Sequence, residues 1–230
     1  MQKFITTSAL AVLLAFAAAD TMARGKRGEP RNFTPGTCLN TADVMSADTA
    51  LDAEEADLLV FMREEEKLAR DVYLVLYETW GQNVFAAIAD SEQRHMDTMG
   101  RMLSLYGIDD PVTDNNVGAF VTPELADLYD ALVLRGGESL PEALRVGALI
   151  EEVDIQDLED AIAGTDEVEL SRAYSNLLRG SQNHLRAFVR QVELLGLTYQ
   201  AQVLDQDDVD AILAASSGNR GGAARGRGRR

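Results

Sequence analysis

Apolar residues recur at intervals of three and four from about residue 53 to residue 195, the periodicity of helices that bury one face. Glycines break this pattern at Gly81, Gly107, Gly136, Gly164 and Gly196, each where a helix would end in a left-handed cap. The spacing predicts long helices over about 53–80, 83–106, 139–163 and 166–195, with a shorter one ending near Arg135 after a loop rich in Asp, Asn and Pro, and another at about 208–215. Asp52 with Glu55, Ser139 with Glu142, and Asp166 with Glu169 have the spacing of capping boxes. No run alternates with the period of a strand. The expected fold is all-α: an antiparallel four-helix bundle with tight links between helices one and two and between three and four, and one long helix-containing crossover between two and three.

The polar residues that interrupt the apolar stripes carry the chemistry. In the first long helix the stripe Met62, Ala69, Tyr73, Leu76, Trp80 passes through Glu66, whereas Glu64, Glu65 and Lys67 fall to the side and read as solvated. The second stripe is broken by Glu92 and His95, three residues apart and so on one face. The third is broken by Glu151 and Asp154, the fourth by Ser181 and His184. Each break lies near its helix midpoint, and midpoints meet in an antiparallel bundle. Carboxylates crowded in an interior cost several kcal/mol each unless cations neutralise them. Two divalent ions would do so, and carboxylate with imidazole suits iron, manganese or zinc. Glu66, Glu92, His95, Glu151, Asp154 and His184 are therefore the candidate metal ligands. Tyr73 and Tyr174 read either as phenols near the site or as ordinary core aromatics. Ser181 beside His184 lacks an oxyanion partner, which argues against a nucleophile pair.

Composition adds an address and removes alternatives. Lys3 followed by an apolar run from Ala9 to Ala19 and small residues reads as a signal peptide over residues 1–23, so the mature chain is expected to be exported, to the periplasm or beyond the cell. The run is too short to span a bilayer. Residues 24–51 read as a disordered lead-in, 52–197 as the bundle, 198–215 as a short extension and 216–230 as a disordered Gly/Arg-rich tail. The single cysteine, Cys38, rules out an internal disulfide and a four-cysteine metal site. Formal net charge is −17, with basic residues gathered at the two ends, so the folded body is not expected to bind nucleic acid, whereas the basic tail could dock on polyanions. Oligomeric state is not legible.

Four ordered blocks carry a family likeness: Arg63-Glu-Glu-Glu-Lys-Leu-Ala-Arg-Asp-Val-Tyr73, Ser91-Glu-Gln-Arg-His-Met96, Ile150-Glu-Glu-Val-Asp-Ile155 and Ser181-Gln-Asn-His-Leu-Arg-Ala-Phe188. They resemble the signature blocks of the ferritin-like family catalogued as domain of unknown function 2202. The resemblance implies a ferritin-like fold and kinship with rubrerythrin and bacterioferritin, whose helices bind two irons through Glu and Glu-x-x-His. On that likeness Glu66 and Glu151 match the glutamates of the first and third helices, Glu92 and His95 the second-helix pair, and His184 the last histidine. Asp154 stands where rubrerythrins have a further carboxylate. Ser181 departs from the pattern by occupying the place of a fourth-helix glutamate, which leaves open a mononuclear site or a pair in which Asp154 compensates. The implied activity is a ferroxidase- or peroxidase-like reaction with oxygen or peroxide, with a separate electron donor. The alternative is a non-catalytic metal-binding or metal-buffering protein with a mononuclear or zinc site.

Overall fold

The protein is described by a computed structural model over residues 51–215. The expected signal peptide, Cys38, all but the last residue of the expected lead-in, and the Arg/Gly tail lie outside these residues. Six helices and no strand occur among the described residues: α1 (Ala53–Trp80), α2 (Asn83–Tyr106), α3 (Pro123–Gly136), α4 (Leu140–Gly164), α5 (Val168–Leu194) and α6 (Gln206–Ala215). The chain is all-helical there, as the periodicity predicts, and none of these helices is long and apolar enough to cross a membrane.

The capping signals held unequally. Asp52 accepts from the backbone N–H groups of Glu54 and Glu55 while Glu55 returns a bond to the Asp52 N–H, closing the expected box at the start of α1. Ser139 caps α4 through the Glu142 N–H, but the Glu142 carboxylate turns to Arg135 and Arg145 instead. Asp166 does not cap α5: the helix begins after Glu167, whose N–H is bonded by the Thr165 hydroxyl. Gly81 and Gly107 adopt φ of 64° and 68° and end α1 and α2 as expected. Gly136 instead lies within α3 because Leu76 packs against it; a Cβ there would fall 2.6 Å from Leu76 Cδ2. Gly164 likewise remains helical, and α4 is closed by Thr165 in an extended conformation.

α1 packs against α2 across a two-residue link, and α4 packs against α5 across a three-residue one. The two pairs meet through α1 with α4 and α2 with α5, and α3 lies against α1 and α4. The interior contains two apolar clusters. One gathers Val72, Tyr73, Leu76, Phe85 and Phe188 among others, and the second gathers Leu59, Met62, Met99, Leu103, Leu158 and Leu177. On each long helix the candidate ligands lie in sequence between residues of one cluster and residues of the other. The polar layer thus divides the core in two.

α1 departs from its sequence reading. Glu64, Glu65 and Lys67 are buried, not solvated, because the segment 109–122 and α3 cover the face of α1 opposite the core. Glu64 accepts from the N–H groups of Val121 and Thr122 and from the Thr122 hydroxyl. Lys67 Nζ donates to Asp71 (2.5 Å) and to the Asn116 carbonyl (2.7 Å), and lies over the Phe120 ring. Arg70 joins Asp71, Gln93 and Asn115. Helix α1 therefore carries two buried faces, one toward the polar layer and one that anchors the long connection. On α4, Glu152 does the same for the C-terminal segment, accepting from the Tyr199 hydroxyl and the N–H groups of Gln202, Val203 and Leu204.

Candidate metal centre

All six expected ligands are buried, between 1% and 9% exposed, and face the interior between the two helix pairs. Glu66 comes from α1, Glu92 and His95 from α2, Glu151 and Asp154 from α4 and His184 from α5. Five of them form two groups whose donor atoms lie close enough to share an ion: Glu66, Glu92 and His95, and Glu92, Glu151 and His184. Glu92 belongs to both. Its Oε2 lies 2.7 Å from His95 Nδ1 and its Oε1 lies 2.7 Å from His184 Nδ1. Glu66 Oε2 stands 3.3 Å from His95 Nδ1, and Glu151 Oε2 stands 3.3 Å from His184 Nδ1. The two imidazoles lie 5.4 Å apart between centroids. The halves are thus related by an approximate two-fold, with Glu92 shared between them.

The sixth residue, Asp154, belongs to neither group. The Ser181 hydroxyl donates to its Oδ2, and Oδ1 has no hydrogen-bond partner. Ser181 occupies on α5 the position that Glu92 occupies on α2, three residues before the histidine. A carboxylate on α5 would have mirrored Glu92. Instead α4 supplies one a single turn after Glu151, whereas α1 has Ala69 one turn after Glu66.

Small and hydroxyl-bearing neighbours set these groups in place. The Tyr73 hydroxyl donates to Glu151 Oε1 at 2.6 Å, which fixes the carboxylate of the α4 half. Gly147 lets Phe188 close over Tyr73: a Cβ there would lie 2.5 Å from the Phe188 ring, and the two aromatic rings meet at a tilt with centroids 5.2 Å apart. Gly180 makes room for the other half, since a Cβ on it would lie 2.5 Å from His95 Nε2. Tyr73 is therefore the phenol near the site. Tyr174 is not; it lies in the apolar cluster near the start of α1, where Glu55 and Tyr106 act on it.

Electrostatics show what the arrangement lacks. Burial raises Glu66 to about 7 despite the opposing pull of His95, and raises Glu151 to about 8 despite His184. Burial pushes Asp154 well above the usual carboxylate range, reinforced by Glu66 and Glu92. Burial also works against ionised Glu92, but the flanking imidazoles outweigh it and hold that group down to about 2. Burial disfavours both imidazolium ions, yet Glu66 and Glu92 push His95 up to about 12, and Glu151 and Glu92 push His184 up to about 10. Among the described residues, the two histidines are the only groups that ion-pair with Glu66, Glu92 and Glu151. Glu66 Oε1, Asp154 Oδ1, both Glu92 oxygens and His184 Nδ1 form no aligned hydrogen bond. Buried polar atoms are rarely left so. Close approach of donor atoms without alignment is the geometry of ligands converging on a common ion, and the mixed oxygen and nitrogen donors fit a divalent transition metal. These two groups can hold metal.

Sequence reasoning missed Glu65 and Asp157. Both are buried, face one another, and lie beside Asp154. The signal was present in the three-residue spacing of Glu151, Asp154, Asp157 and Asp160 along α4.

Comparison with known proteins gives a family and no activity. Residues 55–216 match the family described as an uncharacterised protein domain, domain of unknown function 2202. An uncharacterised protein of Methanocaldococcus jannaschii is 46% identical over 164 residues, spanning 71% of this chain and 89% of its own length. The crystal structure of hypothetical protein MJ0754 from Methanococcus jannaschii superimposes with a TM-score of 0.71 at 44% identity, covering 74% of this chain and 97% of that one. The match takes in every candidate ligand, α2, α4 and α5 whole and α1 from its third residue, and on it the chain belongs to the family of domain of unknown function 2202.

Proposed function

We propose that this is an exported ferritin-like protein whose four-helix bundle holds a pair of metal ions, iron in the first instance, and uses them to react with oxygen or peroxide. The observation that carries the reading is Glu92: one carboxylate places its two oxygens 2.7 Å from two different imidazoles, at the junction of two three-residue groups. A shared carboxylate flanked by matched Glu/His pairs is the ligand logic of two-metal carboxylate sites. Glu66, Glu92 and His95 would hold one ion, and Glu92, Glu151 and His184 the other. Asp154 would supply the further carboxylate that Ser181 does not. Bound iron would supply the electrons for reduction of the oxidant.

The chain's own groups have defined tasks. Tyr73 orients Glu151 through its hydroxyl, which fixes which oxygen of that carboxylate faces the centre. Ser181 holds Asp154 by one oxygen and leaves the other free. The apolar clusters on either side exclude water, so charge at the centre is weakly screened. Described residues 51–215 contain no cysteine, so electrons for repeated turnover would come from a separate donor. Export rests on the apolar run at the N-terminus.

The replacement of a fourth-helix carboxylate by Ser181 favours a second reading, a non-catalytic protein that buffers metal at a mononuclear or zinc site. Anaerobic loading of the metal-free chain with Fe(II), followed by oxygen or peroxide, separates the two. The redox reading predicts a near-ultraviolet ferric band and oxidant consumption in proportion to the iron bound. Tight zinc binding with Fe(II) left unoxidised would overturn it in favour of buffering.

A further inference from the structure

Four carboxylates repeat every third residue along α4: Glu151, Asp154, Asp157 and Asp160. Three residues fall about 60° short of a full helical turn. Successive members of the series therefore rotate around the helix as they climb it. Over the whole series the carboxylates swing through about 180°, from the interior to solvent, each about 4.5 Å beyond the last. Exposure rises only at the end of the series: Glu151 is 1% exposed, Asp154 7% and Asp157 8%, all buried, whereas Asp160 is exposed.

Glu65 of α1 joins the ladder at its middle. It faces Asp157, with Asp154 and Glu66 on its inner side, while Asp157 in turn neighbours Asp160. Glu65 and Asp157 lie within hydrogen-bond reach of one another, and among the described residues neither takes a hydrogen bond or an ion pair from any other group; Asp154 Oδ1 is buried with no hydrogen-bond partner. The contrast with the rest of α1 is direct: Glu64 next door is saturated by three donors, and Asp71 by Lys67, Arg70 and the Gly118 N–H. Beside Glu65 and Asp154 lies a cavity of about 20 Å³, its other walls built from leucines of α3 and apolar residues of α1 and α4. That is room for one water-sized occupant. Its polar lining consists of these two carboxyl groups alone, and Asp157 lies outside it.

We propose that Glu65 and Asp157 form a second cation site, a way-station through which divalent ions pass from Asp160 at the surface to Asp154 and on to the Glu66, Glu92 and His95 group. The proposal rests on the metal-centre reading above. Hard divalent ions such as Mn(II) and Fe(II) suit an all-oxygen station, and ligands of one kind, incompletely saturated, hold an ion weakly enough to release it inward. Asp154 then serves at the junction: Ser181 fixes one oxygen, and the other is free to face either the station or the centre.

The test uses the full chain stripped of metal, with Mn(II) as the titrant and Co(II) as the probe of loading rate, since its visible spectrum reports transfer from water to protein ligands. Glu65→Gln and Asp157→Asn conserve shape and remove charge. Their double variant is expected to bind the same number of tightly held ions as the parent and to load at least ten-fold more slowly. In the parent, Mn(II) titration is expected to show one weaker ion beyond the tight pair. That ion should disappear in the double variant and persist in Glu92→Ala/His184→Ala. Equal loading rates, or a weak ion retained in the double variant, would overturn the station while leaving the centre intact. A parent chain that binds no metal would overturn the centre itself. Should the double variant fail to fold, anomalous diffraction from parent crystals grown in Mn(II) decides: density between Glu65 and Asp157 supports the station, and its absence at saturating Mn(II) overturns it.

Discussion

Glu92 is asked to do two things at once, and its neighbours on α2 and α5 are arranged so that it can. The two halves of the centre depend on different supports, which makes them separable. Tyr73→Phe removes the hydroxyl that holds Glu151 Oε1. It is expected to weaken the ion on the Glu151 and His184 side by about 10- to 100-fold, measured by calorimetric titration, with the other ion little changed. Gly180→Ala places a Cβ where His95 Nε2 now lies. It is expected to weaken the ion on the Glu66 and His95 side by a comparable factor. Equal loss of both ions in either variant would contradict the assignment of halves. The six candidate ligands could be found in the sequence because each interrupts an apolar stripe whose period is known. The supports could not: Gly147 and Gly180 matter through residues on other helices, and nothing in their own surroundings in sequence announces Phe188 or His95.

Helix α1 shows why a stripe analysis is incomplete at the scale of the element. Periodicity identifies the face turned to the helices it pairs with, but α1 is also covered on its far side by segment 109–122 and α3. That cover comes from a connection with no periodicity of its own, so Glu64, Glu65 and Lys67 read as solvated while the structure buries them. The consequence is testable. Asp71 is the hub that pairs with Lys67 and Arg70 and accepts from the Gly118 N–H. Asp71→Asn leaves two cations inside with one neutral partner and is expected to cost about 3–5 kcal/mol. Denaturant unfolding should show the loss, and limited proteolysis should cut within 109–122 before the long helices. A variant of unchanged stability would mean the cluster is incidental. The capping signals illustrate the same limit. The box at Asp52 was legible because both partners belong to it alone, whereas Glu142 was drawn off by Arg135 and Arg145.

At the scale of the molecule, the polar layer sets how stability depends on pH and metal. Glu66 and Glu151, raised to about 7 and about 8, keep protons in the folded metal-free protein that the unfolded chain releases near 4.5. Folding then takes up protons across that window, so stability falls as pH rises from about 4.5 to 8. The stabilisation from His95 and His184, raised to about 12 and about 10, is complete below 6.5 and is lost only as pH climbs toward those higher values. Glu92, held at about 2, acts in the other direction: its contribution is present above 4.5 and is lost as pH falls toward 2. Metal-free protein is therefore expected to melt several degrees lower at pH 8.5 than at pH 6, about 2–4 °C for each kcal/mol. Bound divalent ions displace those protons, so the stabilisation by metal should grow over the same range. Melting curves with and without chelator check both signs, and a metal-free Tm that rises with pH would contradict them.

The central claim is that two cations share Glu92 at the meeting point of four helices, and the direct measurement is the metal content of the purified chain by elemental analysis. After loading with Fe(II) or Mn(II) and gel filtration to strip weakly held ions, the parent is expected to retain two ions per chain, and Glu92→Ala close to none. Folding of the variant is checked by circular dichroism, because removing one carboxylate from a crowded acidic interior should leave the helices intact. A parent that retains no metal, or a folded Glu92→Ala that still retains two ions, would contradict the account.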